Sequence, residues 1–201
     1  MQPAAEPPAG HPDRQRWNAR YSAGLTASFE AHPLAVRALA VSLPAGPVAD
    51  LASGPSGSAL LAAAAGRQVT AVDVSEVALA LLAGEARRRG LGHLIALVHA
   101  DLAGWQPDPG GYALVLCTGY WDRAVFGRAA GAVRADGLVG WEAFTIAALA
   151  ARPGLDPAWC LADGEPASLL PPGFQVLSQA DVAASGSKRR LLARRRADME
   201  R

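Results

Sequence analysis

Three aspartates, Asp50, Asp73 and Asp101, each stand at or just past the end of a short apolar run. Acids at strand ends are placed to accept hydrogen bonds from the hydroxyls and amines of a polar ligand. Between the first two lies Ala52-Ser53-Gly54-Pro55-Ser56-Gly57, a turn nearly bare of side chains. Such a turn lets a ligand approach the backbone where the next helix begins. Asp73 follows Gly54 by 19 positions, close to the separation of about 20 at which an acid of this kind meets ribose hydroxyls. Asp101 is then placed to accept from an adenine amine. Ala52, Gly54 and Gly57 also fit the spacing of a dinucleotide turn, but Asp50 stands where such turns carry an aliphatic residue, and no second domain is expected to hold a substrate. An adenosine ligand without a pyrophosphate fits better.

Other residues with chemical potential are less organised. Trp17-Asn18-Ala19-Arg20-Tyr21 puts two aromatics around an arginine; it reads as a helix packing its aromatics on the domain or as a lid over a site. Tyr120 and Trp121 follow a strand end, and Glu142 sits in an apolar run, where it must be paired or at a site mouth. With Arg20 these are the substrate-side candidates, and Tyr21 and His32 join them. Cys117 and Cys160 have neither disulfide nor metal spacing, and the four histidines are scattered, so no metal site is expected.

The elements that must position these groups alternate. Pro33 to Leu43 reads as a helix with proline in its first turn. Residues 48–74 read as strand, turn, helix, strand, the first βαβ unit of a nucleotide-binding sheet. Ser75 caps a helix to Arg89, whose closing arginines complement the helix dipole. Leu94 to Val98 is a third, buried strand and Tyr112 to Cys117 a fourth. Asp122 caps a helix from Arg123 to Arg134, and Leu138 to Phe144 is a fifth strand. A loop with a short helix at Glu165 to Leu170 leads to a sixth strand, Phe174 to Leu177, and a seventh, Arg190 to Ala193. The fold class is α/β: a single-domain, doubly wound, Rossmann-like seven-stranded sheet, mostly parallel with an antiparallel last strand, and helices on both faces.

Composition sets the bounds. The chain has 201 residues and carries 21 glycines and 15 prolines, enough length for one domain with a proper core. Residues 1–13 are expected to be a disordered tail, 14–46 a lid and helix, 47–196 the domain and 197–201 a second tail. The net charge of +1 is uneven, with seven basic residues and two acids in 187–201; this reads as a terminal strand with a solvated charged end. No stretch is long and apolar enough for a membrane span, and no leader is visible, so a cytoplasmic protein, monomeric or homodimeric, is expected.

Asp50-Leu51-Ala52-Ser53-Gly54 resembles the acidic, glycine-bearing first motif of class I S-adenosylmethionine-dependent methyltransferases. Thr70 to Ser75 is similar to their ribose-binding motif, and His99-Ala100-Asp101-Leu102 to their adenine-binding motif. Within that superfamily, Trp17 to Tyr21 and Val72 to Leu79 resemble the tellurite-resistance and thiopurine methyltransferase group. The resemblance implies S-adenosyl-L-methionine as cofactor, held by Asp50, Ala52, Ser53, Gly54, Asp73, Val74, Asp101, Leu102, Cys117, Trp17 and Tyr21. It also implies methyl transfer to a small molecule, such as a thiol or a chalcogen oxyanion, which needs no strong base. Two other classes are weighed beside it: an RNA methyltransferase using the basic tail, with nucleic acid the less expected partner, and a non-catalytic protein that binds the adenosine cofactor. Ser56 departs from the third glycine of the family motif, and requires negative φ there unless Gly57 takes over the permissive role.

Overall fold

The computed structural model describes residues 6–23, 28–182 and 187–197. Seven strands form one sheet in the order β3-β2-β1-β4-β5-β7-β6. They are β1 (Val48–Leu51), β2 (Val69–Asp73), β3 (Ile95–His99), β4 (Tyr112–Thr118), β5 (Val133–Phe144), β6 (Phe174–Val182) and β7 (Lys188–Arg195). The first five run parallel, β7 is antiparallel to β5, and β6 is antiparallel to β7. This is the expected seven-stranded Rossmann-like sheet, with β7 inserted between β5 and the edge strand β6.

Alternation along the strands separates two cores. Val48, Leu114, Leu116 and Leu138 face one side, where α2 (Pro33–Ala40), α3 (Gly57–Ala64) and α4 (Glu76–Arg88) bury Leu34, Leu60 and Leu82. Ala49, Leu51, Val115 and Val139 face the other, where, among the described residues, α5 (Arg123–Ala132) is the only α-helix. The β3–β4 connection has no helix to cover that face; Trp105, almost fully buried, fills the space, its ring 6.3 Å from Tyr112. Three short 3-10 turns, at 146–150, 157–159 and 167–169, line the β5–β6 connection.

Several element boundaries differ from expectation. The helix α2 ends at Ala40 rather than Leu43 because Val41 turns to an extended backbone. The strand β3 is an edge strand with Ala96 and Leu97 exposed, not a buried one, since no described residue pairs beyond it. The helix α5 stops at Ala132, and β5 begins at once with Val133 opposite Tyr112, then slips register to resume at Leu138 opposite Leu114. The last two strands are longer than their apolar centres, because paired backbone continues under the flanking charges. Helix α1 (Pro12–Ser22) starts inside the stretch expected to be a disordered tail: Pro12 takes the first helical position, and His11 caps it by accepting from the Arg14 amide. Residues 1–5 and 198–201 of the expected tails lie outside the described residues.

Candidate functional site

The carboxyl ends of β1 to β4 open into a cavity of about 400 Å³, within the size range of small-molecule sites. Its floor is the turn after β1. Ala52 and Gly54 both adopt left-handed backbone, φ +48° and +57°, a conformation that costs a residue with a Cβ about 1–2 kcal/mol. Ser56 has φ −73° and caps α3 through its hydroxyl, which accepts from the Ala59 amide. The missing glycine is therefore tolerated, because that position is a helix cap rather than a left-handed turn. Gly57 is needed for another reason: a Cβ there would come within 2.3 Å of the Glu30 backbone, which crosses the start of α3.

Two of the three acids are built into this floor. Asp73 accepts from the Gly54 amide at 2.7 Å and from the Ser75 amide at 2.8 Å, one on each carboxylate oxygen. Burial raises its pKa, against those amides and the nearby His99. Each oxygen keeps a lone pair for a further donor. Asp50 lies beneath the turn and does not line the cavity; its carboxyl accepts from the Ser56 hydroxyl. Burial pushes it up to about 7, with the Ser56 hydrogen bond opposing and the Asp73 charge adding to the rise. Asp50 thus ties the turn to the helix cap and stays out of ligand reach. Asp101, in contrast, lines the cavity and is partly exposed. It accepts from the Ala103 amide, and the ring of His11 reaches it at 3.5 Å.

Helix α1 forms the roof without burying any residue fully. Its i, i+4 pair Trp17 and Tyr21 stack at 5.9 Å and face the cavity. The Tyr21 hydroxyl sits where a Cβ on Gly54 would be 2.8 Å away. Burial first, then the Asp73 charge, raises this phenol to about 12, so it is a neutral donor. The helix is clasped to the start of α4 by polar contacts. Arg14 pairs with Glu76 at 2.7 Å, which holds Glu76 down to about 2, and the Ser75 hydroxyl donates to Asn18 at 2.6 Å. None of these pairings was visible in the sequence; no periodic or motif signal joins residues about 60 positions apart.

Of the residues expected at the site, the cavity is lined by Trp17, Tyr21, Ala52, Ser53, Gly54, Asp73, Val74, Asp101, Leu102 and Tyr120, and by His32. Five are not. Arg20 lies outside the wall, its guanidinium 5.4 Å from the Trp17 ring, because helical spacing turns it away from the 17/21 face. Cys117 is buried on the opposite core and its thiol is pushed up by burial, then by Asp50, so it stays neutral. Trp121 packs edge-on against Trp141 at 6.2 Å and near Phe126 at 5.6 Å; it is core. Glu142 is buried between His32 at 3.2 Å, Lys188 at 3.3 Å and Arg190 at 2.6 Å. Burial would raise it, but the hydrogen bonds from His32 and Arg190 outweigh that and hold it at about 2. The wall also contains Asp13, Ser28 and Glu30, which the sequence did not single out.

Residues 48–137 match the family model described as a methyltransferase domain. The matched segment spans 90 of the chain's 201 residues. The match covers β1 to the start of β5 and includes the whole floor. Among curated proteins none matches the chain in sequence. Solved structures share the fold beyond the matched segment. The protein described in the conversion of a disulfide bond into a thioacetal group during echinomycin biosynthesis superposes with TM-score 0.65 at 18% identity, covering 93% of each chain. Geranyl diphosphate C-methyltransferase from Streptomyces coelicolor A3(2), in complex with Mg2+, geranyl diphosphate and S-adenosyl-L-homocysteine, gives 0.63 at 14% identity over 98% of this chain and 91% of that one. The cyclase SpnF gives 0.64 at 15%, over 97% and 88%. Identities this low establish the fold, and the inclusion of a cyclase shows that the fold does not by itself dictate the reaction.

Proposed function

We propose that this chain binds S-adenosyl-L-methionine in the cavity above β1 to β4 and methylates a small molecule there. The observation that carries the reading is the floor itself: a left-handed turn whose Gly54 amide is held by Asp73, with Asp101 at the same edge, all inside the segment that matches the methyltransferase-domain model. The residues fit such a ligand. Asp73 has lone pairs left for ribose hydroxyls, Asp101 for an adenine amine, and Trp17 and Tyr21 cover the space above the turn. When bound, the cofactor supplies an electrophilic methyl group on a positively charged sulfur. The protein's part is then alignment and exclusion of water. No paired base stands free for proton abstraction among the described residues: His32 caps α2 through Nδ1, accepting from the Leu34 amide, and its other nitrogen meets Glu142. A soft nucleophile such as a thiol suits a site of that kind, in keeping with the resemblance of Trp17 to Tyr21 to the thiopurine group.

The basic C-terminal run favours this reading over one in which RNA is the substrate. Four of its arginines are committed: Arg189 to Asp181, Arg190 to Glu142, Arg194 to the Asp136 and Ser42 carbonyls, Arg195 to the Val133 carbonyl. The test is a thermal-shift comparison of S-adenosylmethionine, S-adenosylhomocysteine and NAD, followed by transfer of labelled methyl to small thiols. Ligand at a hundredfold excess over Kd should raise stability by about 2.7 kcal/mol. A shift with NAD and none with the two methionine nucleosides overturns the reading, and nucleoside binding without transfer to any acceptor supports the non-catalytic class instead.

A further inference from the structure

Helix α1 meets the rest of the fold along two edges that differ in strength. On the α4 edge, Arg14 gives the Glu76 carboxylate three hydrogen bonds of 3.1, 3.0 and 2.7 Å, and Asn18, one turn on, accepts from the Ser75 hydroxyl at 2.6 Å. Forked pairs of this kind fix direction as well as distance. Helical spacing turns Arg16 about half a turn away from Arg14, toward the β5–β6 connection. Its guanidinium lies 5.3 Å from the Trp17 ring and 5.3 Å from the Trp159 ring, so one cation bridges an indole of the roof and an indole outside it. Among the described residues no hydrogen bond or ion pair joins these two elements; the acid near Arg16, Asp13 at 3.8 Å, belongs to α1 itself.

The partner of Arg16 stands on a fixed segment. Trp159 closes the 157–159 turn, and two residues later Leu161 donates to the Phe144 carbonyl at 2.7 Å and accepts from the Ile146 amide at 3.3 Å, which ties the turn to the end of β5. The Trp159 side chain is nonetheless 42% exposed, so its contact with Arg16 has the strength of one exposed cation–π pair. A ligand reaching the floor has to move the roof. The Tyr21 hydroxyl is 2.8 Å from where a Cβ on Gly54 would be, and a ligand seated against the Gly54 backbone takes that space.

We infer that α1 opens as a lid hinged on α4, and that Arg16 and Trp159 are its latch. When the helix swings about the Arg14–Glu76 edge, the weaker contact breaks first, and the cavity opens between α1 and the β5–β6 connection. Arg16 stays over Trp17 through this motion because both are on the helix, and Arg20, 5.4 Å from the same ring, moves with them. Neither Arg16 nor Trp159 is among the residues lining the cavity. A contact that is the same with the cavity empty or filled shifts no binding equilibrium; it sets how often the lid opens. The expected ligand-exchange rates rest on the proposed cofactor site, whereas the opening itself does not.

The experiment compares the full chain with Arg16→Ala, Trp159→Ala, Trp159→Phe and the double variant Arg16→Ala/Trp159→Ala. Dissociation of labelled S-adenosylhomocysteine is followed by chase with unlabelled ligand, and Kd by calorimetry. Arg16→Ala and Trp159→Ala should each speed dissociation about two- to fivefold, the factor one exposed cation–π contact supplies. Kd should stay within twofold, so that association quickens equally. The double variant should be no faster than either single one, since both remove the same contact, and Trp159→Phe, which keeps a ring for Arg16, should be slower than Trp159→Ala. Without ligand, Trp17 is the reporter. Trp105, Trp121 and Trp141 are buried, so in chains lacking Trp159 the emission open to acrylamide is that of Trp17, and Trp159→Ala should be quenched more strongly than Trp159→Phe. Unchanged rates in both single variants, a Kd that weakens by the factor by which dissociation quickens, additive effects in the double variant, or equal quenching of the two Trp159 variants overturns the latch. Failure of S-adenosylhomocysteine to bind the wild-type chain overturns the cofactor reading instead, and the quenching comparison then decides the latch by itself.

Discussion

The floor and the roof of the cavity are held by opposite physical means. Below, Asp50 and Asp73 are buried, bonded to a hydroxyl and two backbone amides, and both have raised pKa values. Above, α1 buries no residue fully and is attached through Arg14, Asn18 and His11, with the acid of its main clasp, Glu76, held down to about 2. Desolvated carboxylates with matched donors cannot shift without leaving buried partners unpaired. Exposed ion pairs are weak and exchange readily with water. The difference teaches that the floor is preorganised, while the roof is free to open at little cost to the rest of the fold, as entry of the proposed cofactor over Gly54 would require.

The largest expected effect comes from breaking the floor. Asp73→Ala removes the acceptor of two backbone amides, and each buried orphan costs about 1–3 kcal/mol. It also removes the proposed ribose contact, worth about 1.5–3 kcal/mol. Melting temperature and S-adenosylhomocysteine affinity should therefore both fall, the latter roughly ten- to a hundredfold. Unchanged affinity in calorimetry would place the ribose elsewhere and leave the floor a purely structural device.

An acid titration separates the two regions because their signs are opposite. Glu76, with its folded pKa at about 2 against an ordinary 4.5, contributes stability that is present above about 4.5 and lost as pH falls toward 2. Asp50, raised from 3.8 to about 7, favours the folded state in its protonated form, an advantage present below 3.8 and lost as pH rises toward 7. Lowering the pH of the ligand-free protein from 5 to 3 should thus lower hydrogen-exchange protection, corrected for the intrinsic rate at each pH, in residues 12–22, while protection in β1 and β2 rises or holds. Arg14→Ala should reproduce the roof effect at neutral pH without moving the floor. Equal exchange in both regions at every pH would mean that roof and floor open as one unit.

The smallest effect sharpens the account of the turn. Ala52→Gly relieves the left-handed strain of about 1–2 kcal/mol but gives the unfolded chain about 0.4–1 kcal/mol more entropy. A net gain of under about 1 kcal/mol is expected in denaturant unfolding, with the slope unchanged. A loss would mean that the Ala52 methyl, which packs against the core on the α5 side, contributes more than its backbone costs.

The strand-end acids, the bare turn, the Ser75 and Asp122 caps and the β/α alternation were legible in the sequence because each is a local pattern of few residues, fixed by period, capping chemistry or turn geometry. These determine the sheet, its helices and the floor of the cavity. Which acid faces the ligand was not legible. Asp50 and Asp73 occupy similar strand-end positions, yet the side of the sheet on which α3 packs sends Asp50 to the Ser56 cap and leaves Asp73 at the surface of the turn. Tyr120 and Trp121 are neighbours in sequence, and packing against Trp141 and Phe126 takes the second into the core. The roof and the outer wall of the cavity were decided by tertiary structure alone. The clasp of Arg14 on Glu76, the burial of Glu142 under His32 and Arg190, and the seating of Glu30 on Gly57 all join residues distant in the chain. Contacts between side chains brought together only by chain crossing leave no periodic trace, so the sequence alone determined the platform and the fold decided what stands over it.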